Sequence, residues 1–361
     1  MADRLGATGA MDHGSAASSK PPATVRWGVL GTGAIARNRV FDAIRGAELC
    51  ELYAVASRDG QRAASAAIAH DIEFAYGSYE ELLADPEIDA VYLPLPNHLH
   101  VPWIMAAADA GKHVLCEKPL TLDADEAKAV AAHCDARGVL LMEAFMYRFH
   151  PAWVEARHLL ADGAIGRILD VAIWFGFRTT SSNDYRLVRE QGGGALLDVG
   201  CYAVNVSRML LGDDPGSIHA AARLDPATGV DMTFSAVLDY GDAHCTFTCS
   251  LEHESDHRIR IHGTHGWLSI ADPFNCPPEH ATTITIATEG DDHPHRSLLR
   301  TIDIRPASQY GLQATAFARA ILSGEPSPLT PEDSISNMRL IDRLFASAGL
   351  DGPLAGGKVT T

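Results

Sequence analysis

Among the 361 residues there is no apolar run long enough to span a bilayer, no Lys/Arg-rich block, no Cys-x-x-Cys pair and no Gly-x-Ser-x-Gly. The first absence excludes a membrane-crossing helix, which needs about 20 apolar residues. The second, with 29 Lys and Arg against 46 Asp and Glu and a formal charge of −17, excludes nucleic acid and anionic membranes as partners, because their phosphates would be repelled. A few residues could still form a local basic pocket for one phosphate. The seven cysteines are odd in number, scattered and partly set in apolar runs, which suits reduced, buried thiols in the cytoplasm. Lacking the Gly-x-Ser-x-Gly elbow, the chain carries no serine nucleophile of that kind. Residues 1–22 are rich in Gly, Ala and Ser and hold no apolar core of a signal peptide, so a mobile extension is expected over 1–23.

What is present is an ordinary globular composition, 47% hydrophobic and 21% charged, with length for about two domains. From Val25 to Met142 short apolar strands alternate with helical stretches. The strands are 25–30, 50–56, 90–93, 113–116 and 139–142, and the helices fall near 34–44, 60–70, 78–84, 99–110 and 123–137. Such alternation predicts a doubly wound parallel sheet over 24–147. Beyond it, longer strands are expected at 168–177, 218–224, 232–240, 244–250, 258–263 and 267–270, with turns at Gly241-Asp242 and around Gly263 and Gly266. They predict an α/β second domain over 148–349 with an open, mainly antiparallel sheet, helices near 151–162 and 199–211, closing helices at 308–323 and 331–348, and a tail at 350–361.

Gly31-x-Gly33-x-x-Ala36 directly follows the first buried strand and opens a helix. In that setting Gly31 allows the turn, Gly33 allows a backbone to approach a pyrophosphate, and Ala36 permits close helix–strand packing. Gly31, Thr32, Gly33, Ala34 and Ile35 are therefore cofactor-binding candidates, with the helix N-terminus facing the phosphates. After the second strand, where NAD sites usually hold an acidic residue, stand Ser57 and Arg58. A hydroxyl and a guanidinium suit a 2′-phosphate, which favours NADP. In the alternative reading, Asp59 serves the ribose of NAD.

Pro96-Asn97-His98-Leu99-His100 and Glu117-Lys118-Pro119, each after a strand, join the glycine turn in a combination that resembles the glucose–fructose oxidoreductase and inositol dehydrogenase (Gfo/Idh/MocA) family over residues 24–349. The stretches Glu143–Pro151 and Gly192–Tyr202 narrow the resemblance to the branch of dimeric dihydrodiol dehydrogenases, NADP-dependent xylose dehydrogenases and 3-ketosugar reductases. The resemblance implies a Rossmann domain followed by an open-sheet domain, and NADP-dependent hydride transfer to or from a secondary alcohol or carbonyl of a sugar or cyclic diol. It carries Lys118 over as the catalytic lysine and Tyr202 as the acid/base. A nearby ammonium would favour the phenolate of a tyrosine that otherwise titrates near ~10. Asp198, one helical turn before Tyr202, would orient Lys118 or the substrate, or else cap the helix.

Asn97, His100 and Glu117 resemble cofactor-contacting positions, with His100 otherwise a hydrogen-bonded histidine at a helix start. Arg148 would approach the nicotinamide or substrate, or form a buried ion pair. Trp174 and Tyr185 are candidates for lining a sugar pocket, against a plain core or surface role. No metal is expected. His244, Cys245, Cys249 and His253 suggest zinc, but in an extended strand Cys245 and Cys249 lie roughly 13 Å apart, and His98-x-His100 has no evident third ligand. The expected partners are a small-molecule substrate and further copies of the chain, as homodimer or homotetramer, through an exposed sheet face. Two rivals stay open: a glycosidase using NAD without net redox change, and a non-catalytic dinucleotide sensor.

Overall fold

The computed structural model describes residues 24–353 except 182, 213, 291 and 292, so the expected N-terminal extension and most of the C-terminal tail lie outside the described residues. Six parallel strands form the first sheet: β1 (Val25–Leu30), β2 (Cys50–Ala56), β3 (Phe74–Tyr76), β4 (Ala90–Leu93), β5 (His113–Cys116) and β6 (Leu141–Glu143). β1, β4 and β5 are buried almost throughout, as apolar strands covered by helices on both faces must be. Their order, β3-β2-β1-β4-β5-β6, reverses direction between β1 and β4. Open sheets of this topology leave a ligand crevice beyond the carboxyl ends at that switch point. Gly31 makes the turn after β1 with φ of 133°, a conformation that L side chains rarely adopt. The helix it opens spans 34–45, wound as a π turn over Ala36–Val40 before α1 (Phe41–Arg45). α2 (Gly60–Ala69), α3 (Tyr79–Ala84), α4 (His100–Asp109) and α5 (Ala124–Ala136) follow the alternation read from the sequence.

The second sheet has eight strands: β7 (Ile168–Arg178), β8 (Ser217–Leu224), β9 (Asp231–Asp239), β10 (His244–Ser250), β11 (Glu252–Gly263), β12 (Gly266–Ile270), β13 (Thr282–Gly290) and β14 (His293–Ile304). Every pairing is antiparallel except the central β7–β10 pair. α6 (Pro151–Ala161) and α7 (Cys201–Leu211) pack on the inner face, and among the described residues no helix covers the outer face. Three strands exceed the sequence expectation. β3 has three residues, too few for a periodic signal. β13 does alternate, as Thr-Ile-Thr-Ile, and extends the sheet with β14 beyond the last expected strand.

The closing helices α8 (Gln309–Ser323) and α9 (Pro331–Ser347) do not stay with the second sheet. α8 returns to α1 and β1, where Phe317 meets Trp27 at 6.0 Å between ring centroids. α9 lies between α5 on one side and α7 and β8 on the other, so it bridges both halves. Near its start, the buried Glu143 carboxyl accepts the Leu120 N–H at 2.9 Å.

Burial pushes Glu143 up to about 7, against the opposing Leu120 hydrogen bond. A raised carboxyl means the folded chain holds a proton that the unfolded chain has released, so stability falls as pH rises from about 4.5 through 7 and levels off above. Glu143→Gln keeps an acceptor for Leu120 but cannot ionise. Denaturant melts of both proteins should show the variant gaining about 2–3 kcal/mol on the wild type between pH 5 and pH 8; parallel curves would contradict this.

Candidate active site

Two chain ends meet between the sheets. The first is the loop after β5, Glu117-Lys118-Pro119, with a cis bond before Pro119 and a hydrogen bond from the Tyr92 phenol to Glu117. The second is the π turn Leu196–Gly200 that leads into α7 and carries Asp198, with Tyr202 just beyond. Lys118 Nζ donates to the Asp198 carbonyl at 2.6 Å and to its Oδ1 at 3.3 Å, and lies 5.1 Å from the centre of the Tyr202 ring. Asp198 Oδ2 accepts from Arg186 Nε at 2.7 Å. The α7 approach is held from behind by Asp231, which accepts the Leu196 N–H at 2.7 Å, and burial pushes this carboxyl up to about 7.

The run Gly192-Gly193-Gly194 before this turn answers three separate steric demands. A Cβ at Gly192 would fall 2.3 Å from Leu122, and one at Gly193 would fall 2.4 Å from the Arg186 carbonyl oxygen. Gly194, at φ of 115°, would place one 2.0 Å from Asp231 Oδ1. Asn97 completes the junction by donating from Nδ2 to the Gly192 carbonyl at 2.8 Å.

The electrostatics follow from these contacts. Burial works to neutralise Asp198, but Lys118 and Arg186 outweigh it and hold the carboxyl below the usual range. Burial likewise works against the Lys118 ammonium, and Asp198 outweighs it, so the lysine stays charged. Tyr202 departs from the sequence argument. Burial pushes its phenol well above the ordinary value, and Tyr310 and Glu117 push the same way. The ammonium does not produce a phenolate because its field is already spent on Asp198. Tyr202 is therefore a protonated phenol, whose hydroxyl donates to Met146 Sδ at 3.5 Å, a weak acceptor.

The space around the pair is a cleft of ≈ 560 Å³. Of the sequence candidates, Gly33, Ala34, Ile35, Asn97, Glu117, Lys118, Tyr185, Asp198 and Tyr202 line it. Gly31 and Thr32 form the turn behind it. Ser57 is buried at the end of β2 and accepts the Asp59 N–H at 3.3 Å, while Arg58 is exposed, near enough to act electrostatically on His98.

Three candidates stand elsewhere. His100 is fully buried under the loop, its two ring nitrogens each 2.9 Å from a carbonyl oxygen, of Pro119 and of Leu95. Arg148 pairs with Asp333 at 3.2 Å in a half-buried ion pair, close to the alternative reading of this residue. Trp174 faces the bare outer side of the second sheet, stacked on His253 at 5.4 Å. Strand parity explains this: Phe175 and Phe177, of opposite parity, face the cleft. The buried alternation Val171, Ile173, Phe175 is the signal that would have found them. Arg186, Asp184, Asn275 and Tyr310 also line the cleft and were not among the candidates. They come from short turns, a loop and a distant helix start, where no periodicity reports direction.

Residues 25–145 match the GFO/IDH/MocA oxidoreductase family with its NAD-binding Rossmann fold, and residues 153–269 match the GFO/IDH/MocA C-terminal domain. D-xylose 1-dehydrogenase (NADP(+)) 2 of Haloferax volcanii is 43% identical over 324 residues, covering 89% of this chain and 97% of that protein. Trans-1,2-dihydrobenzene-1,2-diol dehydrogenase of Homo sapiens is 37% identical over 259 residues, 71% of this chain and 77% of its own. The crystal structure of a 3-ketoreductase from Actinomadura kijaniata, in complex with NADP and TDP-benzene, superposes with a TM-score of 0.83 at 34% identity, over 90% of this chain and 98% of that one.

Proposed function

The chain belongs to the GFO/IDH/MocA family of oxidoreductases, and on that premise we propose that it is an NADP-dependent enzyme interconverting a secondary alcohol and a carbonyl on a sugar or cyclic diol. The observation that carries this reading is the meeting of Lys118, Asp198 and Tyr202 in the cleft beyond the first sheet's carboxyl edge. The residues fit a dinucleotide. Gly33 and Ala34 are exposed at the mouth of the first helix, and Gly33 has no neighbour nearer than 3.9 Å to where a Cβ would stand. When bound, the nicotinamide supplies or accepts the hydride.

The chain's own part is positioning and proton handling. In the reducing direction Tyr202, held as a neutral phenol, gives its proton to the substrate oxygen and recovers one from solvent. Met146 sulfur is too weak an acceptor to hold that proton back. Lys118, fixed by Asp198, presents ammonium N–H groups beside the same oxygen, where negative charge grows. His100, tied to Pro119 and Leu95 beneath the loop, acts as a positioning residue for Lys118.

The preference for the phosphorylated cofactor rests on Ser57 and Arg58. Asp59, which would otherwise serve an unphosphorylated ribose, is engaged as the N-cap of α2, accepting from Gln61 and Arg62 N–H groups at 2.9 and 3.3 Å. The outer face of the second sheet supports self-association. It is a shallow depression of ≈ 990 Å³ with Trp174 and Val237 along it, and nothing within the described chain covers it. We assign it to pairing with a second copy.

Three outcomes follow. Tyr202→Phe should lower kcat about 10²–10⁴-fold in an assay of nicotinamide absorbance while NADP affinity stays within about twofold; undiminished turnover would remove the proton role. Turnover with no net absorbance change would instead identify the glycosidase alternative. Arg58→Glu should weaken NADP roughly tenfold or more and NAD little, by fluorescence titration; equal losses would remove the 2′-phosphate assignment. By analytical ultracentrifugation the wild type should sediment as a dimer or larger and Val237→Glu as a smaller species, and a monomeric wild type would refute the pairing.

A further inference from the structure

Arg186 sits on the short turn Tyr185–Leu187, and the chain around it fixes its path before any ligand arrives. The Gly194 N–H donates to the Arg186 carbonyl at 2.9 Å. Asp184 accepts the Arg186 backbone N–H at 3.0 Å. The guanidinium lies over the Tyr185 ring, 4.7 Å from its centre, with Phe177 at 5.6 Å.

A guanidinium has five N–H donors. Here Nε is taken by Asp198 at 2.7 Å, and Nη1 by the two Asp184 oxygens at 3.2 and 3.4 Å. No described residue accepts from Nη2, yet the side chain lines the cleft and keeps 28% of its surface exposed. Two fixed donors therefore remain for a ligand. Their charge is cancelled locally: Lys118 and Arg186 share the Asp198 carboxylate and Arg186 also holds Asp184, while Glu117 stands beside them with its carboxyl pushed up by burial. A fixed donor in acidic surroundings suits an uncharged oxygen, while an incoming carboxylate or phosphate meets like charge.

We propose that Arg186 is the substrate-recognition residue of this cleft: Nη2 donates to a hydroxyl or carbonyl oxygen flanking the reacting carbon, and the surrounding carboxylates restrict the site to neutral polyols. The assignment rests on the oxidoreductase reading above and names the substrate class for it. It differs from a purely structural clamp on Asp198, which would change turnover of every substrate alike.

The test compares wild type, Arg186→Lys and Arg186→Met on D-xylose and D-glucose, their 2-deoxy counterparts and D-glucuronate, with NADP affinity measured alongside. The wild type should favour the better neutral sugar over its deoxy counterpart and over glucuronate by roughly 10²-fold in kcat/KM. In both variants KM for the neutral sugar should rise about 10–100-fold and the discrimination against the deoxy sugar should collapse, with NADP affinity unchanged. Variants that keep the discrimination, or a wild type that takes glucuronate as readily as glucose, would overturn the proposal. Should the wild type turn over none of these sugars, the functional reading fails separately. Calorimetric binding of the same sugars to the NADP-loaded proteins then decides the role of Arg186: loss of binding in Arg186→Lys supports it, and equal binding removes it.

Discussion

The Asp198 carboxylate, shared between Lys118 and Arg186, is the constraint to which the rest of the site answers. Burying three charged groups is costly unless each finds partners, and removing one partner would leave an uncompensated charge in a low-dielectric interior. Here the partners are present: Oδ1 faces Lys118, Oδ2 faces Arg186, and the Asp198 carbonyl takes a second bond from Lys118. Because Lys118 follows a strand of the first sheet and Asp198 precedes a helix under the second, this arrangement also ties the two halves together across the cleft.

Each end of that tie is anchored from behind in the same way. Glu143 accepts the N–H of Leu120, two residues after Lys118, and Asp231 accepts the N–H of Leu196, two residues before Asp198. Both carboxyls are buried and pushed up to about 7. They act as fixed acceptors that hold backbone, leaving the charged chemistry to Asp198. The three consecutive glycines belong to the same construction. They let the 192–194 segment pass against Leu122, the Arg186 carbonyl and Asp231, so that the turn bearing Asp198 can approach the loop bearing Lys118.

Much of this was legible in the sequence, and the rest was hidden for definite reasons. Period and punctuation revealed the alternating first half, because strands buried on both faces read as apolar runs and Gly31 stands where the chain must turn. Lys118 and Tyr202 are paired by motif resemblance, which relates residues far apart in sequence; local pattern sets each at the end of its own element but does not bring the two together. For Trp174 the surface role holds, because strand parity turns it to the outer face and gives the cleft Phe175 and Phe177 instead. Arg186 lies on a turn without periodicity, and its importance arises only from contact with Asp198, twelve residues away in sequence and across the cleft wall. The closing helices form where their periodicity predicts, but their amphipathic faces do not say which half of the molecule they cover. α8 chooses Trp27, and α9 chooses both halves.

The state of Tyr202 shows why proximity of charge is an incomplete argument. An ammonium 5.1 Å from the ring would favour phenolate if it acted alone. Its field is opposed by the carboxylate it is bonded to, and the phenol is buried among Phe145, Phe175 and Phe274, where an anion is poorly solvated. What the site offers a substrate oxygen is therefore a set of oriented donors with little net positive charge: a phenol, an ammonium neutralised by its partner, and a guanidinium neutralised by two. Such a set stabilises charge only where it develops, at the oxygen the donors face, and gives little attraction to an anion already charged elsewhere. On the proposed reading, reactivity and a preference for neutral substrates would share one physical origin, the pairing of each cation with a carboxylate before the substrate arrives.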